Sequence, residues 1–555
     1  MAVRAVVPDA KVDAVQVRPC PDPKFGDYQS SAVMSLAKER KTNPRQLATE
    51  IVGKLDVSPW CEKVEIAGPG FLNFRLKPEA LEQTLQSQQA SAHPFIQPSS
   101  HPRTIVIDFS SPNVAKPMHV GHIRSTILGD SLARTLRLLG HKVITDNHIG
   151  DWGTQFGMLI VGWKKHLDRA ALEGDPIGEM ERLYKRVNAD ANAVEEARQE
   201  LVKLQQGDSE NLAIWKEMIR LSQSQFDTIY KRLGIRFDHT LGESFYNPKL
   251  QSIVDELAKA GIAQESEGAM VIFFPDDPQL KETPAMVRKS DGGFNYTTTD
   301  MATLRHRLET WSPNEIVYVT DGRQQLHFRQ LFAAFRRWHP DAKVKLAHVW
   351  FGSILGEDGK PFKTRAGETV KLADLLDEAE ERALAAVTEK NSELPESQRR
   401  EIARVVGIGA VKYADLLPNR QTDYVFSWDK MLALNGNTAP YLQYAYTRIR
   451  SIFRKGEVSD VKGEIKLTET AELALAKHML NFSLVLEAVS DEYRPNFLCN
   501  YLYELAGHFT AFYEACPVLK AAPGVRASRL ALADLTGRVL KQGLDVLGIE
   551  TLDQM

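Results

Sequence analysis

The chain is 555 residues long, room for roughly three or four domains of ordinary size. Its 43% hydrophobic and 25% charged residues are the balance of a globular protein, and no apolar run reaches membrane-spanning length, which excludes a chain that crosses a bilayer. A formal net charge of −3 gives no global attraction to nucleic acid, so any such contact has to come from a local basic face.

The start, MAVRAVVPDAKVDAVQV, lacks both an uninterrupted apolar core and a small-residue cleavage site, so no secretory signal is expected. Cys20, Cys61, Cys499 and Cys516 are isolated and form no CxxC pair, which fits a reducing cytoplasm better than a disulfide framework. Residues 1–100 read as a small α/β unit. In it, PKFGDYQSSAVMSLAKER is a turn and an apolar-periodic helix, PRQLATEIVGKL a second helix, and VEIAGPGFLNFRL a β-rich pair of runs. The polar QSQQASAHPFIQPSSHP that follows reads as a linker.

TIVIDFS is a short continuous apolar run of the kind a buried parallel strand shows. SSPN is turn chemistry, and in HIRSTILGDSLARTLRLLG the apolar residues Ile123, Ile127, Leu128, Leu132, Leu136 and Leu139 follow the helical period up to Gly140. KVITDNHIGDWG returns as strand and loop, completing a βαβ unit. NEIVYVTDGRQQLH and VKLAHVWFGSILGEDG supply further strands of the same sheet after a long interruption. The interruption, about residues 165–285, reads as an insertion inside a doubly wound α/β domain spanning 101–400. From about residue 400 the pattern is helical almost throughout, giving an all-α unit over 401–555.

The chemistry concentrates in NVAKPMHVGH, where His119 and His122 flank Gly121 at a strand-to-helix crossing. Zinc would need further ligands; His141 and His148 are available, but no cysteine lies near and no zincin glutamate follows the first histidine. A helix N-terminus beyond a parallel strand, with a glycine that admits close approach, suits phosphate instead. No protein metal site is therefore expected.

The run SSPNVAKPMHVGHIRSTILGD resembles the ATP-binding signature of class I aminoacyl-tRNA synthetases, and its flanks resemble the arginyl-tRNA synthetases. The similarity extends through GDYQS, HIGDWGTQFG, NYTTTD, GKPFKTRAGETVKL, NTAPYLQYAYTRIRS and LGIETLDQM. It implies a Rossmann-type catalytic domain, an N-terminal domain touching the tRNA elbow through Gly26, Asp27, Tyr28 and Gln29, and a helical anticodon-binding domain. By the same resemblance, L-arginine is activated with ATP, Mg²⁺ accompanying the ATP, and is then transferred to the terminal adenosine of tRNA. The enzyme is expected to be a monomer.

Residue by residue, the resemblance gives His119, His122 and Lys116 to catalysis. His119, Gly121, His122, Lys363 and Arg365 fall to ATP. Tyr296 and Asp300 fall to the guanidinium, Asp108, Asn113 and Ser111 to the other end of arginine, and Gln324 to arginine as well. The second class I signature, KMSKS, is degenerate here: its first lysine falls on Pro361 and its second on Thr364, with Lys363 at a serine position. Lys116 is the expected compensation. In the late helix, Tyr441, Tyr444, Arg448 and Lys455 share one face and Tyr446, Arg450 and Arg454 another, and Tyr441, Tyr444, Arg448 and Arg450 are taken as tRNA contacts. Only some two dozen residues precede Asp27, so the first helix usual in the family is expected to be missing or trimmed.

A free-standing nucleotidylyltransferase would share the two histidines, but the helical C-terminal unit would go unexplained. A non-catalytic RNA-binding regulator is opposed by the intact histidines, Lys116 and acids.

Overall fold

The computed structural model describes residues 1–11, 15–190, 193–363, 369–459, 461 and 463–555. At its centre lie five parallel strands, β1 (Thr104–Asp108), β2 (Lys142–Asn147), β3 (His239–Thr240), β4 (Glu315–Tyr318) and β5 (Lys345–His348). They are ordered β5-β4-β1-β2-β3. Each neighbouring pair is parallel, with Ile105 beside Val143 and Ile107 beside Val317. Strand order reverses between β1 and β4, which makes the crevice at the carboxyl end of β1 the switch point where ligands bind in such sheets.

Alternation along the strands explains why β1 is apolar almost throughout and why β2 and β4 are apolar at their centres. Ile105 and Ile107 point into a layer with Ile123, Ile127 and Leu136 of α1 (Val120–Leu138). Val106 and Ile144 point the other way, against Met301 and Leu304 of α2 (Tyr296–Trp311) and Leu331 and Phe335 of α3 (Gln325–Trp338). Both faces of β1 are covered, so its run has no polar side to show before Asp108 at its carboxyl end.

The interrupting segment is not one excursion. Helices fill Gln155–Arg232, the chain then returns to the sheet as β3, and only afterwards builds a three-stranded antiparallel sheet from Gln264–Ser266, Ala269–Ile272 and Ala285–Arg288. β3 escapes a reading of hydrophobicity because it is two residues long and exposed.

The N-terminal unit is a four-stranded antiparallel sheet backed by helices Ala32–Arg40 and Pro44–Val52. A five-residue helix, Ala2–Val6, precedes the sheet, and Val7 behind it is buried in this unit's core. The expected linker is docked rather than loose: Phe95 is buried, and Arg538 of the last helix donates to the carbonyl of Gln89 at 2.8 Å.

The C-terminal helices include Ala439–Gly456, Asn496–Ala515 and Pro523–Val546. The stretch Thr470–Glu492 is long and apolar enough by composition to cross a membrane, but it is broken into two helices, Thr470–Met479 and Phe482–Glu492. Leu475, Met479, Phe482, Leu486 and Val489 are buried in the bundle.

Gly129 sets how closely α1 lies on β1, because a Cβ there would meet the ring of buried Phe109 at 2.2–2.5 Å. Gly129→Ala is expected to destabilise the catalytic domain by about 1–3 kcal/mol through overpacking, read as a lowered denaturant midpoint.

Candidate active site

The turn after β1 is strained and heavily braced. Ser110, Ser111 and Ala115 all have positive φ, at 74°, 48° and 61°. Non-glycine residues hold that conformation only where surrounding bonds impose it. Here the amide of Ser110 donates to Ser125 Oγ at 2.8 Å, that of Ser111 to Asn147 Oδ1 at 3.0 Å and that of Ala115 to Ser222 Oγ at 3.0 Å. Gly150 permits the neighbouring loop to close on Asn113, since a Cβ would meet Asn113 Oδ1 at 2.2 Å.

The bracing delivers the two histidines to the start of α1. His119 is the N-cap, and its Nδ1 accepts from the Gly121 amide at 3.1 Å. The His119 amide in turn donates to His122 Nδ1 at 3.0 Å. With both Nδ1 atoms accepting, the neutral tautomers carry their protons on Nε2, so each ring presents one N–H donor outward. The rings lie 4.0 Å apart. Burial pushes His122 down to about 3, with the neighbouring His119 adding to it. Burial also lowers His119, helped by the charges of Arg323 and Lys116. Gly121 has a reason beyond approach of a ligand: a Cβ would meet the His119 ring at 2.9 Å.

Lys116 sits exposed beside this pair, its Nζ 5.7 Å from the ring centre of Tyr184 in the helical excursion. Arg323 was not singled out from the sequence. It is exposed, pairs with Asp321 at 2.8 Å and contributes positive potential at His119. Gln324 follows it, exposed, as the N-cap of α3.

A second cluster is acidic and aromatic. Asp300 and Tyr296 stand one turn apart on α2; Asp300 Oδ2 is 2.6 Å from His327 Nε2, and the Tyr296 ring meets the His327 ring edge-on at 4.7 Å. Tyr296 is 58% exposed, so its face is open to a ligand. Glu243 joins the cluster from the segment after β3. Burial drives its carboxyl up to about 7, with Asp300 and Asp151 repelling its charge and His148 opposing the rise. Burial raises Asp151 too, against hydrogen bonds from Ser244. Glu243 and His327 are therefore candidate site residues that sequence reading missed. GESFY carries no spacing that flags an acid, and His327 faces Asp300 only because α2 and α3 lie side by side.

Asp108 is engaged differently from a free ligand-binding acid. Its Oδ2 accepts from Arg307 at 2.6 Å and its Oδ1 from Ser111 Oγ at 3.1 Å. Arg307 is fully buried and also pairs with Asp146 at 2.7 Å. His141 and His148, weighed above as zinc ligands, are occupied elsewhere: His141 Nδ1 accepts from the Arg103 amide, and His148 Nδ1 lies 3.0 Å from the Leu241 carbonyl. Among the described residues no group of three or more His, Cys, Asp or Glu is arranged to hold a metal ion.

The loop matching the degenerate signature leads back to the histidines. Gly356 and Lys360 form its turn, Lys363 bridges Thr369, and Val120 donates to the Val370 carbonyl at 2.9 Å. Lys363 is exposed; Thr364 and Arg365 lie outside the described residues. Of the expected RNA contacts, Asp27 pairs with Lys477 at 2.7 Å and Tyr28 donates to Asn481 at 2.9 Å, which docks the N-terminal sheet on the C-terminal bundle. Gly26 is buried against Phe74, and Gln29 donates to Asn73 at 2.8 Å. On helix Ala439–Gly456, Tyr444 is exposed and Arg448 lies 4.6 Å over Tyr513, while Tyr441 packs against Tyr503. The other face is turned inward. Tyr446 and Arg450 hold Asp553 of the C-terminal tail at 3.1 and 3.4 Å.

A parallel sheet with paired imidazoles at the switch point and a helical bundle behind it defines a class I aminoacyl-tRNA synthetase. Residues 83–428 match the family described as tRNA synthetases class I (R), catalytic domain. Residues 442–555 match the DALR anticodon binding domain and residues 1–76 the arginyl tRNA synthetase N terminal domain. The arginine–tRNA ligase of Hahella chejuensis is 47% identical over 97% of this chain and 95% of its own length. That of Edwardsiella ictaluri is 48% identical over 97% and 95%. The arginyl-tRNA synthetase of Plasmodium falciparum superposes with a TM-score of 0.85 at 30% identity, covering 100% of this chain and 97% of the other. The Thermus thermophilus enzyme gives 0.86 at 27% identity, covering 100% and 99%. The chain belongs to the arginyl-tRNA synthetases, whose activity is the aminoacylation of tRNA with arginine at the expense of ATP.

Removing Arg307 strands two carboxylates in a buried site. Arg307→Met is expected to lower stability by roughly 3–5 kcal/mol, seen as a drop in the midpoint of catalytic-domain unfolding; a loss below about 1 kcal/mol would mean that the pair is hydrated.

Proposed function

We propose that the two clusters are the two poles of one substrate site, the imidazoles holding ATP as its magnesium complex and the acidic cluster holding arginine. The observation that carries this reading is the placement of paired Nε2–H donors at the amino end of α1, with Tyr296, Asp300 and Glu243 gathered separately as a cation pocket. A guanidinium is a planar fork of donors, and carboxylates are its natural partners. Glu243 and Asp300 supply charge and Tyr296 an aromatic face. Asn113, Ser111 and Gln324 are available to the arginine backbone, with Asp108 acting through its hydrogen bond to Ser111.

In the first step the arginine carboxylate attacks the α-phosphorus of ATP in line, forming the arginyl-adenylate as the bond to pyrophosphate breaks. His119 and His122 donate to phosphate oxygens on which charge develops, with no proton transferred, because both are neutral before ATP arrives. Lys116 and Arg323 offset the charge of the leaving pyrophosphate, the work that the degenerate loop does weakly through Lys363 and Arg365. In the second step the 2′-hydroxyl of the terminal adenosine attacks the arginyl carbonyl; AMP leaves and the hydroxyl proton goes to solvent or phosphate. No protein nucleophile is required.

Residues 101–400 carry this chemistry. Residues 401–555 read the anticodon arm, with exposed Tyr444 and its neighbours Tyr441 and Arg448 along the RNA while Arg450 holds the C-terminal tail, and residues 1–100 meet the tRNA elbow, the Gly26–Gln29 segment bracing that unit on the bundle. The enzyme works in the cytoplasm, a reading supported by its free cysteines, and as a monomer, as the family resemblance implies.

His119→Asn removes one donor and is expected to lower kcat for adenylate formation by about 10²–10³-fold with little change in arginine KM, measured by single-turnover kinetics. Glu243 must be ionised to hold a cation, so arginine affinity rises as pH increases through about 7. Calorimetry from pH 6 to 8 is expected to show this tightening, and Glu243→Gln to bind arginine weakly at every pH; an unchanged slope in the variant would remove Glu243 from the pocket.

A further inference from the structure

Behind the site, α1 meets three other elements at one point. Lys412, on helix Glu396–Leu416, is 2% exposed and donates to the carbonyls of Leu233 and Gly548, the latter at 2.6 Å. Leu233 is the C-cap of the excursion helix Ser209–Arg232, and Gly548 lies just past the final helix Pro523–Val546. Arg134 of α1 does the same from the other side. It donates to the Gly234 carbonyl at 2.6 Å and the Asp545 carbonyl at 3.4 Å, while pairing with Asp130 at 2.7 Å.

Two helix C-termini, each a negative pole, thus converge on two cations. The point is tightly built. Gly548 has φ +71°, and a Cβ there would meet Asp130 Oδ2 and Lys412 Nζ at 3.0 Å. A cavity of about 260 Å³ opens beside it, lined by Lys231, Arg404 and Glu550 among others. Helix Glu396–Leu416 also grips α1 nearer its histidines, through Asp415 and Arg124 at 2.9 Å, both buried.

We propose that Lys412 and Arg134 are positioning residues that join the anticodon-binding bundle to the signature helix, so that tRNA seated on the bundle sets the placement of His119 and His122. The geometry carries this because α1 is one unbroken helix of 19 residues, with the junction along its second half and the histidines at its start. A shift of the final helix has one direct route into α1, from the Asp545 carbonyl to Arg134, and one relayed route, from Gly548 through Lys412 and its helix to Arg124. Neither cation touches substrate.

The test uses the full-length enzyme with Lys412→Met, and with Arg134→Gln as the variant that carries the test should Lys412→Met fold poorly. Rates are counted per active site by burst titration. The expected result is a kcat for charging intact arginine tRNA lowered about three- to thirtyfold. Dissociation constants for tRNA, and for ATP and arginine without tRNA, stay within about twofold. The kcat penalty of an anticodon-substituted tRNA shrinks in the variant, because the link that reports the anticodon is cut. Three outcomes overturn the proposal: an unchanged kcat, a loss confined to tRNA affinity, or ATP and arginine affinities that fall in step with kcat, which marks a purely structural lesion.

Discussion

Arg307 is the charge around which the catalytic domain is arranged. It has no solvent exposure and is held by Asp108 at the end of β1 and Asp146 near the end of β2. Its ring neighbour Tyr318, at 5.3 Å, ends β4. One guanidinium from α2 therefore fixes the carboxyl ends of the three strands that meet at the switch point. Burying a cation is costly, and two carboxylates offset the cost only when the geometry leaves little freedom. That rigidity is inherited by Asp300 and Tyr296, which sit up to three turns earlier on the same helix, and by the Ser110–Asn113 turn through Asp108 and Ser111.

Around that frame the site separates two kinds of charge. At the amino end of α1, desolvation keeps both imidazoles neutral and the helix dipole adds positive potential. Beside α2 and α3, desolvation acts the opposite way on a carboxyl, raising Glu243 until its charge awaits a cation. One cause, removal from water, thus yields neutral donors at one pole and acids poised to ionise at the other. The strained turn between β1 and α1 holds the poles apart, and it survives because Ser125, Asn147 and Ser222, from three different elements, bond its amides.

The catalytic domain and the C-terminal bundle share one continuous apolar core, and polar contacts at defined points add to it. Asp27 and Tyr28 fasten the N-terminal sheet to the bundle, Asp553 holds the C-terminal tail to helix Ala439–Gly456, and Lys412 with Arg134 closes the junction on α1. Such contacts have direction and register, which apolar burial lacks, so they suit a protein whose parts must keep a fixed relation while RNA spans them.

The sequence by itself determined the doubly wound sheet, the helix carrying His119 and His122, and the helical C-terminal unit. Each rests on local periodicity: TIVID is apolar because both faces of β1 are covered, and α1 repeats its apolar residues every turn. The family is legible for a related reason, since its motifs are short runs whose chemistry depends on adjacent residues. Tertiary structure alone decided the rest. Glu243 and Arg323 reach the candidate site on short 3₁₀ turns and His327 only through the packing of α3 on α2, β3 is too short and exposed to leave a pattern, and the Ala2–Val6 helix is a single turn. Asp108 and Arg450 look alike available in sequence, yet each is committed to a partner at least 100 residues away, Arg307 and Asp553 respectively. Whether a charge faces substrate, RNA or another side chain depends on what folding brings opposite it, and that partner is not written in the neighbouring residues.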